Sequence, residues 1–407
     1  MESMPRPVEQ RWMAVWAAMI GYMLDAFDVL LYVFAVQTMR VEFGWSASTA
    51  GLVTSATLLF SAAGGILAGM LADRFGRTRM LIYAILTYSL ASAGSATSTG
   101  LISLLAWRGV VGLGLGGVWS AGAVLVSESW PPRHRAKAIG LMQSGWALGY
   151  MLAAAVTAAV LPRFGWRILF LTGVLPALLT VWIQRKVKEP AIWSAKREAA
   201  PLSILFRPPL LRNTVLATML ATSVLFAYWG LFTWLPGFLS APASQGGAGL
   251  SILRTSGWVF TMQIGAFFGY VSFGYLADRF GRRPAFVTYV TAAAILAPIY
   301  GLIPRWAPGS AETWLLALGP LVGFFGTGFF SLFGAMLAEL YPTAIRGTGQ
   351  GFVYNFGRAV SALAPFVVGA IADRQGLGAA LALNSMFFLV GAVLIFSLPE
   401  TRNTALT

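Results

Sequence analysis

The chain has 407 residues, 57% of them hydrophobic and only 10% charged, where a soluble domain averages about 25% charged, so it lacks the charge to coat a water-facing surface. With no cysteine and a single histidine, His134, it builds no disulfide, thiolate metal site or multi-histidine centre. The formal net charge of +14 does not mark a nucleic-acid binder, because the basic residues sit singly or in small groups between apolar stretches.

Apolar stretches of about 20 residues, the length that crosses a bilayer as a helix, occur twelve times. They run roughly over 12–36, 47–72, 80–98, 100–127, 136–160 and 168–186, then 213–239, 254–277, 285–303, 313–339, 347–372 and 378–397. The segment before the first span has no apolar core and reads as a cytoplasmic tail rather than a signal peptide. The widest gap, between spans six and seven, is basic and proline-containing. It divides the chain into an N-terminal bundle (1–186), a cytoplasmic linker (187–212) and a C-terminal bundle (213–407). Of the 28 Lys and Arg, 20 fall on the side of the termini, 6 on the other and 2 inside spans. The positive-inside rule then puts both termini in the cytoplasm; the expected location is the cell's inner (plasma) membrane, with the bilayer as first partner. Trp12, Trp45, Trp166, Trp258, Trp306 and Trp314 sit at span ends and read as interfacial anchors.

The halves repeat each other. Gly69-Met-Leu-Ala-Asp73-Arg74-Phe-Gly76-Arg77 follows span two, and Gly274-Tyr-Leu-Ala-Asp278-Arg279-Phe-Gly281-Arg282 follows span eight. After spans four and ten, Glu128-Ser-Trp-Pro131 through Arg135 echoes Glu339-Leu-Tyr-Pro342 through Arg346. Two matches at nearly equal offset indicate a duplicated unit. The aspartates are suited to pair with arginines or to face helix N-termini. They form, with Glu128 paired to Arg135 and Glu339 to Arg346, an expected latch on the cytoplasmic side.

Ionisable residues inside a span cost roughly 2.5–3.5 kcal/mol, so they are functional candidates. Four lie well inside: Asp25 and Asp28 in span one, Arg108 in span four and Arg358 in span eleven. At about 1.5 Å per residue, Asp28 is ~24 Å from the inner end of its span and Arg108 ~12 Å from the outer end of its own. They share a depth and either form a permanent pair or handle a proton together with Asp25. Arg358, ~17 Å into its span, has no acid on its own helix and is suited to grip an anion through its planar fork. Tyr32, Gln143, Tyr150, Tyr228, Trp229, Gln263, Tyr354 and Asn355 are candidates to line a cavity. That lining is too sparse in polar groups for a sugar. Gly112-Leu-Gly114-Leu-Gly116-Gly117 mimics a nucleotide loop, but inside an apolar span it reads as close helix packing.

The G-x-x-x-D-R-x-G-R loop after span two, with its copy after span eight, resembles the signature of the major facilitator superfamily. The resemblance implies an all-α membrane fold of two pseudo-symmetric six-helix bundles, alternating access to a central site, a monomer and no cofactor. Asp25-Ala-Phe-Asp28 resembles the D-G-F-D element of the aromatic acid:proton symporters and the related lactate and sialate branch, with Ala26 in place of the usual glycine. Trp107-Arg108 through Gly114 resembles the helix-four element of proton-coupled members, Tyr354-Asn355-Phe-Gly-Arg358 the helix-eleven arginine element, and Gly145-Trp146 through Tyr150 the lactate type. The implied function is proton-coupled symport of a small organic acid, first a monocarboxylate such as lactate. An aromatic acid symporter and a drug or cation exporter are the alternatives; an enzyme is not implied.

Overall fold

The computed structural model describes residues 8–45, 47–189 and 201–402, almost all of them helical. Residues 190–200 of the expected linker lie outside the described residues. The first half comprises α1 (Val8–Phe43), α2 (Ala47–Phe75), α3 (Arg77–Ser95), α4 (Leu101–Ser129), α5 (Arg135–Leu171) and α6 (Ala177–Lys186). The second half opens with α7 (Leu210–Ser240), α8 (Ile252–Phe280) and α9 (Arg282–Trp306). Three broken spans complete it: α10 (Ala311–Gly328) with α11 (Ser331–Leu340), α12 (Arg346–Ser361) with α13 (Ala364–Gln375), and α14 (Leu377–Asn384) with α15 (Met386–Leu394).

Among the described residues, ten stretches are long and apolar enough to cross a membrane. One of them, Pro132–Lys186, turns at Gly165, whose φ of 76° interrupts the helix, and so makes two crossings. α3, 19 residues long, adds another, giving the twelve crossings expected. Pro365 has no N–H to give Ser361, which explains the break between α12 and α13 just beyond Arg358.

Within the first half α4 packs on α1, α2 and α3, and α1 on α5; within the second, α10 packs on α8 and α9, and α7 on α12 and α15. The halves meet where α2 crosses α12 and α5 crosses α8. Glycines permit these approaches. A Cβ on Gly69 would fall 2.5 Å from Gly347 O, and one on Gly140 would fall 2.6 Å from Tyr270 O. The glycine run of α4 gives the same closeness to α2 within the first half, since a Cβ on Gly116 would collide with Ser61 O. Backbone cannot yield there. Gly69→Val is expected to cost about 1–3 kcal/mol of the closed arrangement and to speed maleimide labelling of a Cys placed at Ser127, a buried position at this crossing level. The native chain contains no cysteine, so the background is clean.

Trp166 is not an interfacial anchor. It is 2% exposed and its indole donates to Glu42 (2.6 Å), which Arg167 also reaches (2.8 Å). The indole hydrogen bond, then the Arg167 hydrogen bond, hold the Glu42 carboxyl below its ordinary range. Trp12, Trp306 and Trp314 are exposed at 40%, 65% and 52%, as anchors require.

Candidate functional site

Two polar regions stand out in this apolar body: a small cavity between the halves and a charged face at one end. The cavity is lined by Tyr22, Trp146, Tyr228, Trp229, Tyr270, Phe330, Tyr354, Leu225 and Arg358. Its free volume is about 10 Å³, room for roughly one water, so a solute enters only when the halves separate. Arg358 is 5% exposed; it donates to Ser61 Oγ (2.7 Å) across the interface and lies 5.2 Å over the Tyr354 ring. Tyr354 in turn stacks on Trp119 with centroids 3.7 Å apart, and Trp146 Nε1 donates to the Tyr228 hydroxyl at 2.8 Å.

Two buried groups lining this cavity lack a partner, Arg358 Nε and Trp229 Nε1, and both are donors. An unmade donor in a buried site costs free energy that only an acceptor restores. Among the described residues no acid forms an ion pair with Arg358. Asp25, 2% exposed, interacts electrostatically with both Arg358 and Asp28 without forming such a pair. The site therefore has spare capacity for an anion.

The expected site residues separate into three groups. Arg358, Tyr354, Tyr228 and Trp229 line the cavity. Gln143 and Asn355 tie the halves together instead. Gln143 accepts from Trp119 (2.9 Å) and donates to Phe330 O (3.3 Å), while Asn355 donates to Ser120 Oγ (3.0 Å). Tyr32 lies inside the first half, its ring 5.7 Å from the Arg108 guanidinium, while Tyr150, edge-on to Phe34, sits near Tyr228 of the other half without lining the cavity. Gln263 is buried and is not part of the lining. Asp28 and Arg108 pair at 3.3 Å with side chains 0% and 2% exposed. Sequence reasoning missed Tyr22, Tyr270, Phe330 and Ser61. Tyr22 carried a usable signal, since it precedes Asp25 by three residues and so shares its helix face.

The charged face joins the two repeated loops, and both ends of the described chain approach it: Trp130 donates to Arg11 O and Thr401 to Glu339. The expected pairing within each loop is corrected by the structure. Glu128 accepts from Arg346 of the other half (2.9 Å), and Glu339 from Arg135 (2.9 Å). Each arginine spends its Nε on its own half, Arg135 on Ser127 O and Arg346 on Ala338 O, while Nη1 reaches the glutamate across the interface, that of Arg346 also meeting Thr343 Oγ1. Behind each glutamate stands an arginine of its own half. Arg77 holds Glu128 and Asp73, both at 3.0 Å, and Arg282 holds Glu339 (2.9 Å) and Asp278 (2.8 Å). The aspartates also receive helix N-termini from the opposite half, Asp73 from Thr348 N (2.9 Å) and Asp278 from Lys137 N (3.2 Å). Arg74 and Arg279 stay outside this network, exposed over Phe75 and Phe280.

Sequence reasoning also missed two acids. Glu189 accepts from the backbone N–H groups of Arg77, Thr78 and Arg79, and Glu400 from those of Arg282 and Arg283. Each caps the helix that follows the motif loop, α3 or α9. Gly76 and Gly281, both at φ 110°, make the turn that exposes those N–H groups, and a side chain there would meet the capping glutamate. The signal was the placement of both acids just past the last span of each half.

Residues 18–253 and 243–407 match the Major Facilitator Superfamily. The chain belongs to that superfamily. It is 35% identical over 401 residues to the "Probable 4-methylmuconolactone transporter" of Cupriavidus pinatubonensis, covering 96% of this chain and 91% of that protein. It is 31% identical over 389 residues to the "Niacin transporter NiaP" of Acinetobacter baylyi, covering 87% of this chain and 85% of that protein. Among solved structures, the proton:xylose symporter XylE superposes with a TM-score of 0.80 over 98% of both chains at 18% identity, a likeness of fold alone. As a Major Facilitator Superfamily member the chain is a multi-pass membrane transporter and not an enzyme. Its repeated signature loops carry the ion-pair network just described.

Proposed function

We propose that the protein is a proton-coupled symporter of a small, planar, unsaturated or aromatic carboxylate, working by alternating access with the charged face in the cytoplasm. The observation that carries this is Arg358, a buried guanidinium with a free donor and no acid partner among the described residues, at the wall of an aromatic cavity. Seven of the nine lining residues are aromatic, and flat faces suit a flat solute better than they suit lactate, the first expectation from sequence. Relatives named for 4-methylmuconolactone and niacin support the same class. A cation exporter is disfavoured, since the unpartnered groups of the cavity are donors.

The charges supply a coupling scheme. Ionised Asp25 neutralises part of the field of Arg358. A proton taken up by the Asp25–Asp28 pair removes that competitor, and Arg358 then accepts the substrate carboxylate. Proton and anion so bind in mutual dependence, which is what coupling requires.

The test is uptake of labelled nicotinate and benzoate into proteoliposomes with and without an inward proton gradient. Wild type accumulates substrate only with the gradient. Asp25→Asn is expected to bring the accumulation ratio down to about one while substrate exchange persists, because a carrier without coupling only equilibrates its solute. Gradient-independent accumulation by wild type, or no uptake of any carboxylate, overturns the proposal.

A further inference from the structure

A second cleft, of about 640 Å³, opens on the charged face between the start of α5 and the end of α8. It is lined by Arg133, His134, Lys137, Arg279 and Arg402, with Tyr275, Leu276, Phe280 and Asp278. Asp278 is already engaged by Arg282 and by Lys137 N. Among the described residues none of Arg133, Lys137, Arg279 or Arg402 pairs with an acid. Four cations thus face one cavity whose single acid, Asp278, is felt by Lys137 but is ion-paired to Arg282.

The latch does not need them. The second half repeats the same loop, and there the positions of Arg133, His134 and Lys137 are held by Ala344, Ile345 and Thr348. The backbone contact is nevertheless the same: Thr348 N serves Asp73 as Lys137 N serves Asp278, the Thr348 hydroxyl adding a second bond to Asp73. The positive-inside rule does not explain the difference either, because both loops lie on one face. The excess charge is local to this cleft. Tyr275 and Phe280, exposed at 56% and 57%, border it with apolar surface, and Lys137 Nζ lies 4.9 Å from the Tyr275 ring centre. Cations beside exposed aromatics fit the level where headgroups meet acyl chains.

We propose that this cleft binds the phosphate of an anionic lipid headgroup and that the bound lipid holds the latch closed. The occupant touches both halves, since Arg133 and Lys137 belong to the first and Arg279 and Arg402 to the second. It therefore favours the state in which they are together. This holds whichever solute the central cavity carries.

The test uses the full chain in nanodiscs of phosphatidylcholine alone or mixed with phosphatidylglycerol, at fixed ionic strength. Phosphatidylglycerol is expected to raise the Tm of wild type by several degrees and to slow labelling of Ser127→Cys several-fold. Arg133→Gln/Lys137→Gln/Arg402→Gln loses both effects. Arg185→Gln/Lys186→Gln/Arg212→Gln, with equal charge removed from the same face, keeps them. The Tm in phosphatidylcholine alone reports whether each variant is folded. Equal loss in both triple variants means diffuse surface attraction and overturns the proposal, as does retention in both. A shift of the same size from inorganic phosphate in detergent, lost in the first triple variant, overturns the lipid assignment and gives the cleft to free phosphate.

Discussion

Arg358→Lys is expected to lower uptake of a carboxylate by about 30-fold, through KM more than through the maximal rate. Lysine keeps the charge but not the planar fork, and the lost charge-assisted hydrogen bond is worth roughly 2 kcal/mol. Arg358→Gln removes the charge as well and is expected to abolish uptake. Thermal stability should move the other way. A buried cation with no ion pair among the described residues burdens the unliganded protein, so Arg358→Gln is expected to raise the Tm without substrate by a few degrees and to erase the substrate-induced shift. A purely structural arginine behaves oppositely: its loss lowers the Tm and spares affinity. That outcome ends the anion-clamp reading.

Glu128→Gln is expected to open the latch. The carboxylate meets Arg77 and Arg346 with both partners at or below 1% exposure, so its neutralisation takes a buried counter-charge from both, Arg77 keeping only Asp73. Breaking a buried pair in this way costs about 3–5 kcal/mol. Because the Arg346 contact exists only while the halves are closed on this face, much of the cost falls on the closed state. About 3 kcal/mol moves the balance between closed and open by more than ~100-fold, read as faster labelling of Ser127→Cys and as weakened accumulation. Glu339→Gln should act alike, since it serves Arg282 and Arg135 in the mirrored position. Arg74→Gln is the control. That residue is exposed and outside the network, and its loss should cost less than about 1 kcal/mol.

How much of this was readable from sequence depends on which coordinate of a helix is asked for. Depth was legible, because rise per residue is constant. Counting from span ends set Asp28 beside Arg108, where the structure has them 3.3 Å apart. Azimuth was not. Tyr32 has plausible depth, yet its helix turns it into the first half, toward Arg108 and away from the cavity lining. A helix buried on most sides shows no clear apolar stripe from which its rotation could be read. The partners of the latch were hidden for another reason. Glu128 and Arg135 are neighbours in the chain, and proximity in sequence favoured pairing them. What decides is that Arg135 is anchored by Ser127 O and points outward from its own half, which no local pattern encodes.

The crosswise exchange of arginines has a wider consequence. Contacts in which a first residue of one unit meets a second of the other, and the reverse holds equally, are those of an isologous interface about a two-fold axis. A lone half carries both the glutamate and the arginine of the exchange, so it has what it needs to close against a copy of itself. Fusion of the two units into one chain freed each to diverge away from that axis. The acids of the first half, the arginine of the second and the basic cleft on one side alone are all departures that a true dimer of identical units could not make singly.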